Sequence, residues 1–302
     1  MSFKRGQLRY FVTVAEEGQI TRAARKLHLA QPALSQAIAQ LESELGLELL
    51  ERQPHGVTLT ADGEAFYEKA RVALAAATEG LQTAQSLARA QKGMLTLGFL
   101  GVPPGLDSPA PIERFDELHP NIEIHYRELP FPSVPTSSWL AEVDIAVCHA
   151  PPADPNVWAR DLRSESRLVL APARHPLAER RELTVAEVVD ETFIGLHSSI
   201  ERAWAGFWSL DSHRGGPPRH VTPDGAANPQ EVLAALVVRR AITTVPASVA
   251  RMIPTGVVAI PLRGADPSAI RLVGHTHRRN PLVMAVVAFA RNLTENTSGV
   301  SG

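Results

Sequence analysis

The stretch that follows Ala30 carries side chains that could read the edges of DNA bases. Its outward side holds small and amide residues: Gln31, Pro32, Ala33, Ser35, Gln36 and Gln40. Its inward side is apolar at helical spacing: Leu34, Ile38, Leu41 and Leu45. Glutamine can pair in a bidentate manner with adenine, and serine can donate or accept at either base edge. Taken alone, the pattern also fits an ordinary three-helix core with a solvated polar face.

Two helices before this stretch and a hairpin after it would position it against a double helix. Apolar spacing predicts a first helix that ends at Gly18, a short second helix with Thr21 and Arg22, and a third helix over 31–45. A Pro/Gly turn at 53–56 lies between β-forming residues and predicts a hairpin, with Arg52 at its base near phosphate or the minor groove. This pattern is typical of a winged helix-turn-helix, which places its third helix in the major groove.

An ordered string of residues between 8 and 63 resembles the LysR-type transcriptional regulators. The matching segments are Leu8-Arg9-Tyr10-Phe11, Thr21-Arg22-Ala23-Ala24, Leu27-His28-Leu29-Ala30-Gln31-Pro32-Ala33-Leu34-Ser35, Ile38, Leu41-Glu42-Ser43-Glu44-Leu45-Gly46, Leu50-Glu51-Arg52 and Leu59-Thr60-Ala61-Asp62-Gly63. The resemblance implies an α+β protein with an N-terminal winged helix-turn-helix, a long dimerising linker helix and a C-terminal effector domain. That last domain would be a two-lobed α/β domain of the periplasmic-binding-protein type.

The chain departs from the family pattern at the third helix. Ala30 stands where the family usually has a serine that caps this helix, and losing such a cap costs roughly 0.5–2 kcal/mol. Gln36, Ala39 and Gln40 occupy positions that are often basic in the family. We therefore expect fewer phosphate contacts from this helix and a weaker salt dependence of DNA affinity.

The charge of residues 1–60 indicates a modest electrostatic contribution to DNA affinity. Seven basic residues (4, 5, 9, 22, 25, 26 and 52) and six acidic ones (16, 17, 42, 44, 48 and 51) give a net charge of +1. The basic residues gather at the N-terminus, the second helix and the hairpin, so we expect them to face phosphate while the acids face away. A solvated surface of mixed charge is the alternative.

A proline-free segment over 61–91 predicts one long helix. Apolar and small residues recur along it in alternating steps of four and three: Ala70, Leu74, Ala77, Leu81, Ala84 and Ala88. This spacing is typical of a coiled-coil seam, and we expect it to join two copies of the chain. The alternative is a helix packed on its own domain. Dimerisation is favoured because an operator with two half-sites needs two reading heads.

From Met94 onward, β-forming segments alternate with helical ones, as in a mixed, mostly parallel sheet flanked by helices. Segments 120–123, 143–147, 174–178, 239–242 and 245–246 extend the resemblance more loosely. The expected domains are 1–60 for DNA binding, 61–92 for the linker helix and 93–302 for effector binding. By analogy with the family, the first lobe covers about 94–161 and 268–292, and the second about 162–267.

The effector is expected in the cleft between the lobes, beyond the carboxyl ends of strands. Positions that follow predicted strands give Leu100, Gly101, Val102, His149, Ala150, His197, Ser198, Thr243 and Thr244. The start of a predicted helix adds Asn228. The family often has Ser or Thr soon after its first strand to hold a carboxylate, but none occurs here before Ser108. Either the effector is less polar, or His197, Ser198 and Asn228 hold it from the second lobe. For each residue, a solvated loop position is the alternative.

A helical aromatic cluster, Trp204, Phe207 and Trp208, is expected to pack in the core or between lobes, with a floor for the effector as the alternative. No Gly-x-Ser-x-Gly elbow or phosphate-binding loop is present, so neither enzymatic activity nor a cofactor is expected. His275 and His277 alternate on one predicted strand, but no Cys, Asp or Glu lies near them in ligand spacing, so no metal site is expected.

Composition bounds the remaining possibilities. The 302 residues are 44% hydrophobic with a formal net charge of −2, which suits a soluble multidomain chain. The single cysteine, Cys148, excludes an intrachain disulfide and fits a reducing cytoplasm, and no secretory or membrane-spanning segment is expected. The expected partners are a double-stranded DNA operator, a small-molecule effector and further copies of the chain, in a homodimer or homotetramer. The competing interpretation is a solute-binding or catalytic α/β domain whose N-terminal helices serve only dimerisation.

Overall fold

A computed structural model of the chain describes residues 5–54, 56–103, 109–131, 140–149, 154–276 and 280–298. The chain divides into two compact units, Met1–Ala84 and Gln85–Gly302. Within the described ranges, no helix is both long and apolar enough to cross a membrane.

The first unit consists of helices and one hairpin. Its elements are α1 (Arg5–Glu17), α2 (Ile20–Lys26), α3 (Gln31–Leu45), β1 (Leu50–Gln53), β2 (Gly56–Leu59) and most of α4 (Ala61–Ala90). Strands β1 and β2 pair antiparallel, with Arg52 opposite Val57. The predicted bounds of α3 are confirmed, and Gly46 ends it in the left-handed conformation at φ 69°.

The four helices of this unit and Leu49, which precedes β1, contribute buried side chains to one core. Its largest members are Phe11, Leu34, Leu41 and Leu49. The predicted inward face of α3 is confirmed, because Leu34, Ile38 and Leu41 are at most 4% exposed. Thr60 caps α4, since its hydroxyl accepts a hydrogen bond of 2.9 Å from the Gly63 N–H.

The predicted dimerisation seam on α4 is only partly available for a partner. Ala70 is 2% exposed within the core of the first unit, and Leu74 packs against the same core. The seam prediction is wrong for Ala70, because the first turns of α4 complete the core of the winged domain. The remaining seam positions, Ala77, Leu81, Ala84 and Ala88, are exposed.

The second unit alternates strands and helices. Its elements in chain order are β3 (Met94–Phe99), α5 (Ala110–Leu118), β4 (Glu123–Glu128), β5 (Ile145–Cys148), β6 (Val157–Glu165), β7 (Arg167–Pro172), β8 (Leu183–Thr184), α6 (Val185–Val188), α7 (Arg202–Ser209), α8 (Asp211–Arg214), α9 (Pro229–Val238), β9 (Thr243–Pro246), β10 (Val257–Arg263), β11 (Ser268–His275) and α10 (Pro281–Ser298). Two 3-10 helices, Pro176–Glu179 and Ala247–Met252, complete the set that the structure describes.

Two sheets define two lobes. The first lobe has the strand order β4-β3-β5-β11-β6, with β3 parallel to β4 and β5, and β11 antiparallel to its neighbours. Phe115 of α5 and Val283 of α10 bury against this sheet. Strand β6 remains in this lobe as far as Glu165, beyond the expected boundary at 161.

The second lobe has the strand order β8-β10-β7-β9. Strand β7 is antiparallel to both β10 and β9, so the prediction of a mostly parallel sheet is wrong for this lobe. The reason is the chain path, since β7 brings the chain into the lobe and β10 leads it back out. Residues 193–195 contribute only isolated bridges, such as that of Phe193 with Ile242.

Candidate DNA-reading groove and effector cavity

A groove in the first unit lies between the start of α2, the start of α3 and the β1–β2 hairpin. Its volume is about 490 Å³. It brings together four residues that the sequence predicted to contact DNA: Thr21, Gln31, Ser35 and Arg52. Residues from three separate elements therefore converge on one polar surface, which we name the reading groove.

The remaining predicted contacts lie on the exposed side of α3 or on α2. Pro32, Ala33, Gln36 and Gln40 are exposed, and so is Arg22. Gln31 Nε2 donates to Ser35 Oγ at 2.9 Å, and Gln40 Nε2 donates to Glu44 Oε1 at 2.9 Å. Gln36 makes no side-chain hydrogen bond with any residue that the structure describes, so its amide is available to a base edge.

The start of α3 lacks a side-chain cap, in agreement with the alanine at position 30. Ala30 has an extended backbone, and its carbonyl accepts the Leu34 N–H at 3.1 Å. Two earlier N–H groups, those of Gln31 and Ala33, have no intrahelical acceptor. A helix start of this kind has a positive partial charge, which suits a phosphate beside the reading groove.

The basic residues of α2 are partly neutralised within the unit, contrary to the expectation that all of them face phosphate. Lys26 Nζ lies 2.8 Å from Glu17 Oε1, and Arg22 Nε lies 3.4 Å from Glu17 Oε2. The hydrogen bond from Lys26 lowers the pKa of Glu17, so this carboxylate stays charged. Arg52 is exposed and has no ion pair within the described ranges, which leaves its cation free for DNA.

A cavity in the second unit lies between the two lobes and has a volume of about 100 Å³. The first lobe contributes Leu100, Gly101, Val102, Phe131 and His149 to its wall. The second lobe contributes Trp204 and Trp208 of α7, residues of α9, and Thr243 and Thr244 of β9. Six predicted effector residues therefore line it: Leu100, Gly101, Val102, His149, Thr243 and Thr244.

Three predicted effector residues do not line this cavity. His197 Nδ1 lies 2.7 Å from Ser199 Oγ on an exposed loop, and Ser198 is exposed beside it. Asn228 Oδ1 accepts the Glu231 N–H at 3.0 Å, so this side chain caps α9. Local turn and cap geometry uses the polar atoms of His197 and Asn228, and a role of these three residues in effector binding stays a prediction. Ala150, Ser108 and His277 lie outside the described residues.

Sequence reasoning missed several apolar residues of the wall. The expectation that ligands bind beyond the carboxyl ends of strands could not identify Phe131, which follows β4 in a loop, or Met252, which ends a 3-10 helix. Trp204 and Trp208 line the cavity and also belong to the core cluster with Leu140 and Val143. The aromatic cluster thus serves lobe packing and forms part of the cavity wall.

A buried polar cluster lies beside the cavity. His149 Nε2 lies 3.6 Å from Glu165 Oε1 and 3.5 Å from Ser248 Oγ, and the Ser248 N–H donates to Glu165 Oε2 at 2.8 Å. Burial alone would raise the pKa of Glu165, but the nearby His149 imidazole and the hydrogen bond from Ser248 lower it to about 2. The cluster joins β5 and β6 of the first lobe to the segment after β9 in the second.

A second buried charge, Arg167, lies under the aromatic wall. It is 2% exposed, and its Nη2 donates to the carbonyls of Phe207 at 2.8 Å and Trp208 at 3.2 Å, and to Thr244 Oγ1. Burial lowers its pKa to about 10. Arg167 therefore ties the C-terminal end of α7 to β7 and β9. Among the described residues, no cluster of three or more His, Cys, Asp or Glu could hold a metal.

Comparisons with known proteins match both units. The family model described as "Bacterial regulatory helix-turn-helix protein, lysR family" matches residues 6–64, and "LysR substrate binding domain" matches residues 88–297. The regulator AlsR of Bacillus subtilis is 33% identical over 197 residues, an alignment that covers 65% of this chain and 64% of AlsR. The aligned part of this chain thus spans less than two thirds of the length of AlsR. The regulator BenM of Acinetobacter baylyi is 29% identical over 293 residues, which cover 96% of this chain and 90% of BenM.

Solved structures agree with these sequence matches. Full-length BenM is 25% identical with a TM-score of 0.52, and the match covers 98% of each chain. Full-length CbnR, solved with its target DNA, is 24% identical with a TM-score of 0.50 over 97% of this chain and 100% of CbnR, which shows a shared fold. These relatives are regulators rather than enzymes, so the interpretation as a catalytic or solute-binding protein finds no support. The chain belongs to the LysR family of bacterial transcriptional regulators, with an N-terminal helix-turn-helix domain for DNA binding and a C-terminal effector-binding domain.

Proposed function

We propose that this regulator reads its operator with α3 and the reading groove, and that a small molecule in the interlobe cavity controls it. The convergence of Thr21, Gln31, Ser35 and Arg52 on the groove carries the proposal. Gln31, Gln36 and Gln40 would pair with base edges, with Ala33 and Pro32 allowing close approach. Arg22, Arg52 and the start of α3 would contact phosphates.

The active form is proposed to be a cytoplasmic homodimer or homotetramer joined through the exposed part of α4. The exposed positions Ala77, Leu81, Ala84 and Ala88 support this role. Two reading heads would then address an operator with two half-sites. An effector that binds one arrangement of the lobes more tightly would shift the population toward that arrangement and alter the spacing of the heads.

Mutation of the proposed DNA contacts tests this function. We expect Gln36→Ala to weaken operator binding by roughly 1–3 kcal/mol while binding to a scrambled duplex is unchanged, because a base contact carries specificity. We expect Arg52→Ala to weaken binding to both duplexes and to reduce the slope of log affinity against log salt by about 1. Fluorescence anisotropy at several salt concentrations measures both effects.

Matched controls come from the second unit. Gln91→Ala and Arg181→Ala remove the same side-chain types at exposed positions outside the groove, and we expect neither to change DNA affinity. The assignment of base reading to α3 would be wrong if Gln36→Ala bound the operator as tightly as the unaltered protein does. Sedimentation of each variant confirms that its oligomeric state is unchanged.

A further inference from the structure

The wall of the interlobe cavity restricts the kind of molecule that could occupy it. We infer that the effector is a compact, uncharged molecule of about one ring in size rather than a carboxylate. This inference rests on the proposed function, because it specifies the ligand of the same cavity.

The size of the cavity and its apolar wall set the first limit. The rings of Phe131 and Trp204 lie 4.6 Å apart, and those of Trp204 and Trp208 lie 6.0 Å apart. Aliphatic side chains such as Val102 and Val232 complete the wall. A volume of about 100 Å³ is smaller than the engineered apolar cavity of roughly 150 Å³ that binds benzene. A single ring is therefore close to the largest occupant that this arrangement accepts.

Few polar side chains reach this wall, and the hydroxyl of one of them is already hydrogen-bonded within the protein. Within the described residues, the polar side chains of the wall are His149, Thr243 and Thr244, and the lining residues Trp204 and Trp208 add buried indole N–H groups that have no hydrogen-bond partner. The Thr244 hydroxyl donates to the Trp208 carbonyl and accepts from Arg167. No Ser or Thr follows β3 at positions 100–103, where a hydroxyl could hold a carboxylate. No Lys or Arg lines the wall among the described residues, and its donors are neutral, so burial of an ionised ligand is costly, whereas an uncharged hydroxyl or carbonyl group could accept from these donors.

His149 is the titratable residue of the wall, and a carboxylate already accompanies it. Glu165 Oε1 lies 3.6 Å from His149 Nε2, and the Glu165 side chain is only 8% exposed. The pKa of about 2 keeps Glu165 ionised at neutral pH. A ligand carboxylate at His149 would be the second negative charge on one imidazole, and two carboxylates that share a site repel each other. A hydroxyl or carbonyl group at the same position adds no charge.

Arg167 provides no free positive charge for an anionic ligand. Its guanidinium does not line the cavity, and it donates to the terminal carbonyls of α7. The helix C-terminus carries a negative partial charge. The guanidinium carbon also lies 4.5 Å from the centre of the Phe207 ring, which stabilises a cation through its face. The positive charge of Arg167 is thus already balanced by the protein.

Benzyl alcohol and benzoate form a matched pair of probes, since both carry one ring and differ in charge. We expect benzyl alcohol to bind the full-length protein at least about tenfold more tightly than benzoate, measured by calorimetry at pH 7. Glu165→Gln removes the competing charge, so this ratio should fall by about tenfold through tighter benzoate binding. A purely structural role of Glu165 would weaken both probes alike. Glu182→Gln, the same change at a surface ion pair with Arg263, should leave the ratio unchanged.

Equal or tighter binding of benzoate to the unaltered protein would overturn the inference, and so would the absence of binding by either probe up to about 10 mM. The comparison on the unaltered protein stands even if Glu165→Gln fails to fold. Operator binding, measured on the same preparation, separates the two proposals. Retained operator binding with benzoate preferred would contradict only the ligand class, whereas lost operator binding would contradict the proposed function.

Discussion

Glu165 is the residue whose ionisation most clearly depends on the fold. Its carboxylate accepts the Ser248 N–H and lies beside His149, at the point where the chain passes from the first lobe to the second. The fold holds its pKa at about 2, below the ordinary value of 4.5. The charged form is therefore more stable in the folded protein than in the unfolded chain.

Replacement of this carboxylate should make stability depend differently on pH. A depressed pKa contributes stability above pH 4.5 that is lost as the pH falls toward 2. With allowance for solvent screening, we expect Glu165→Gln to lower the free energy of unfolding by on the order of 2 kcal/mol at pH 7. The difference from the unaltered protein should shrink steadily below pH 4.5.

Urea unfolding of both proteins between pH 3 and 7, with Glu182→Gln as the control, measures this difference. A difference that stays constant over the whole range would show that the effect of Glu165→Gln is steric rather than electrostatic.

Helix α3 begins without a side-chain cap, as its sequence predicted. Ala30 supplies no side-chain cap. We expect Ala30→Ser to raise the free energy of unfolding of the first unit by roughly 0.5–2 kcal/mol, because the hydroxyl would accept a free N–H of the first turn. Thermal unfolding followed by circular dichroism measures the change. Ala39→Ser, at an exposed position inside the same helix, should give no such gain, and an equal gain there would refute the capping explanation.

The last turn of α4 is fixed to the effector domain by a partly buried ion pair. Arg89 Nη2 lies 2.9 Å from Asp144 Oδ1, whose side chain is fully buried, and Asp144 Oδ2 accepts the Thr96 N–H at 2.8 Å. Ser86 Oγ accepts a hydrogen bond of 3.0 Å from Asn280 Nδ2. These contacts anchor the end of the linker helix beside β3 and β5.

Removal of the Arg89 side chain should loosen this anchor. Loss of one partner from a fully buried pair costs roughly 3–5 kcal/mol, and we expect about 2 kcal/mol for Arg89→Ala because the guanidinium is partly exposed. Hydrogen exchange should show faster exchange in residues 85–92. Arg114→Ala breaks an exposed pair with Glu117 and should cost well under 1 kcal/mol. Similar losses for both variants would mean that the anchor is no stronger than a surface pair.

Local signals made the elements of the reading head predictable. The spacing of apolar residues and Gly46 predicted both ends of α3, and the Pro/Gly turn predicted the hairpin. The cavity was predictable only where strands lead into it, as at Leu100 and His149. Strand direction in the second lobe and the entry of Phe131 and Met252 depend on long-range packing, which no local spacing encodes. The prediction that Ala70 belongs to the dimerisation seam was wrong for the same reason, because a small residue fits either a seam between helices or a protein core.

At the scale of the whole molecule, one helix takes part in both units. The first turns of α4 complete the core of the reading head, and its last turn is paired to Asp144 in the effector domain. The exposed positions between these ends are those proposed to join two copies. A change at the interlobe cavity and a change in the spacing of two reading heads could therefore be linked through the same element.

The most direct test of the central claim is binding of the purified protein to DNA from its own upstream region, beside a scrambled duplex at the same salt concentration. Sequence-specific reading by two heads predicts an affinity at least about 1,000-fold higher for the operator. It also predicts a footprint with two protected half-sites whose centres are one helical turn, about 10 base pairs, or a multiple of it apart. Equal affinity for the two duplexes, with no protected half-sites, would contradict the claim that α3 and the reading groove recognise sequence.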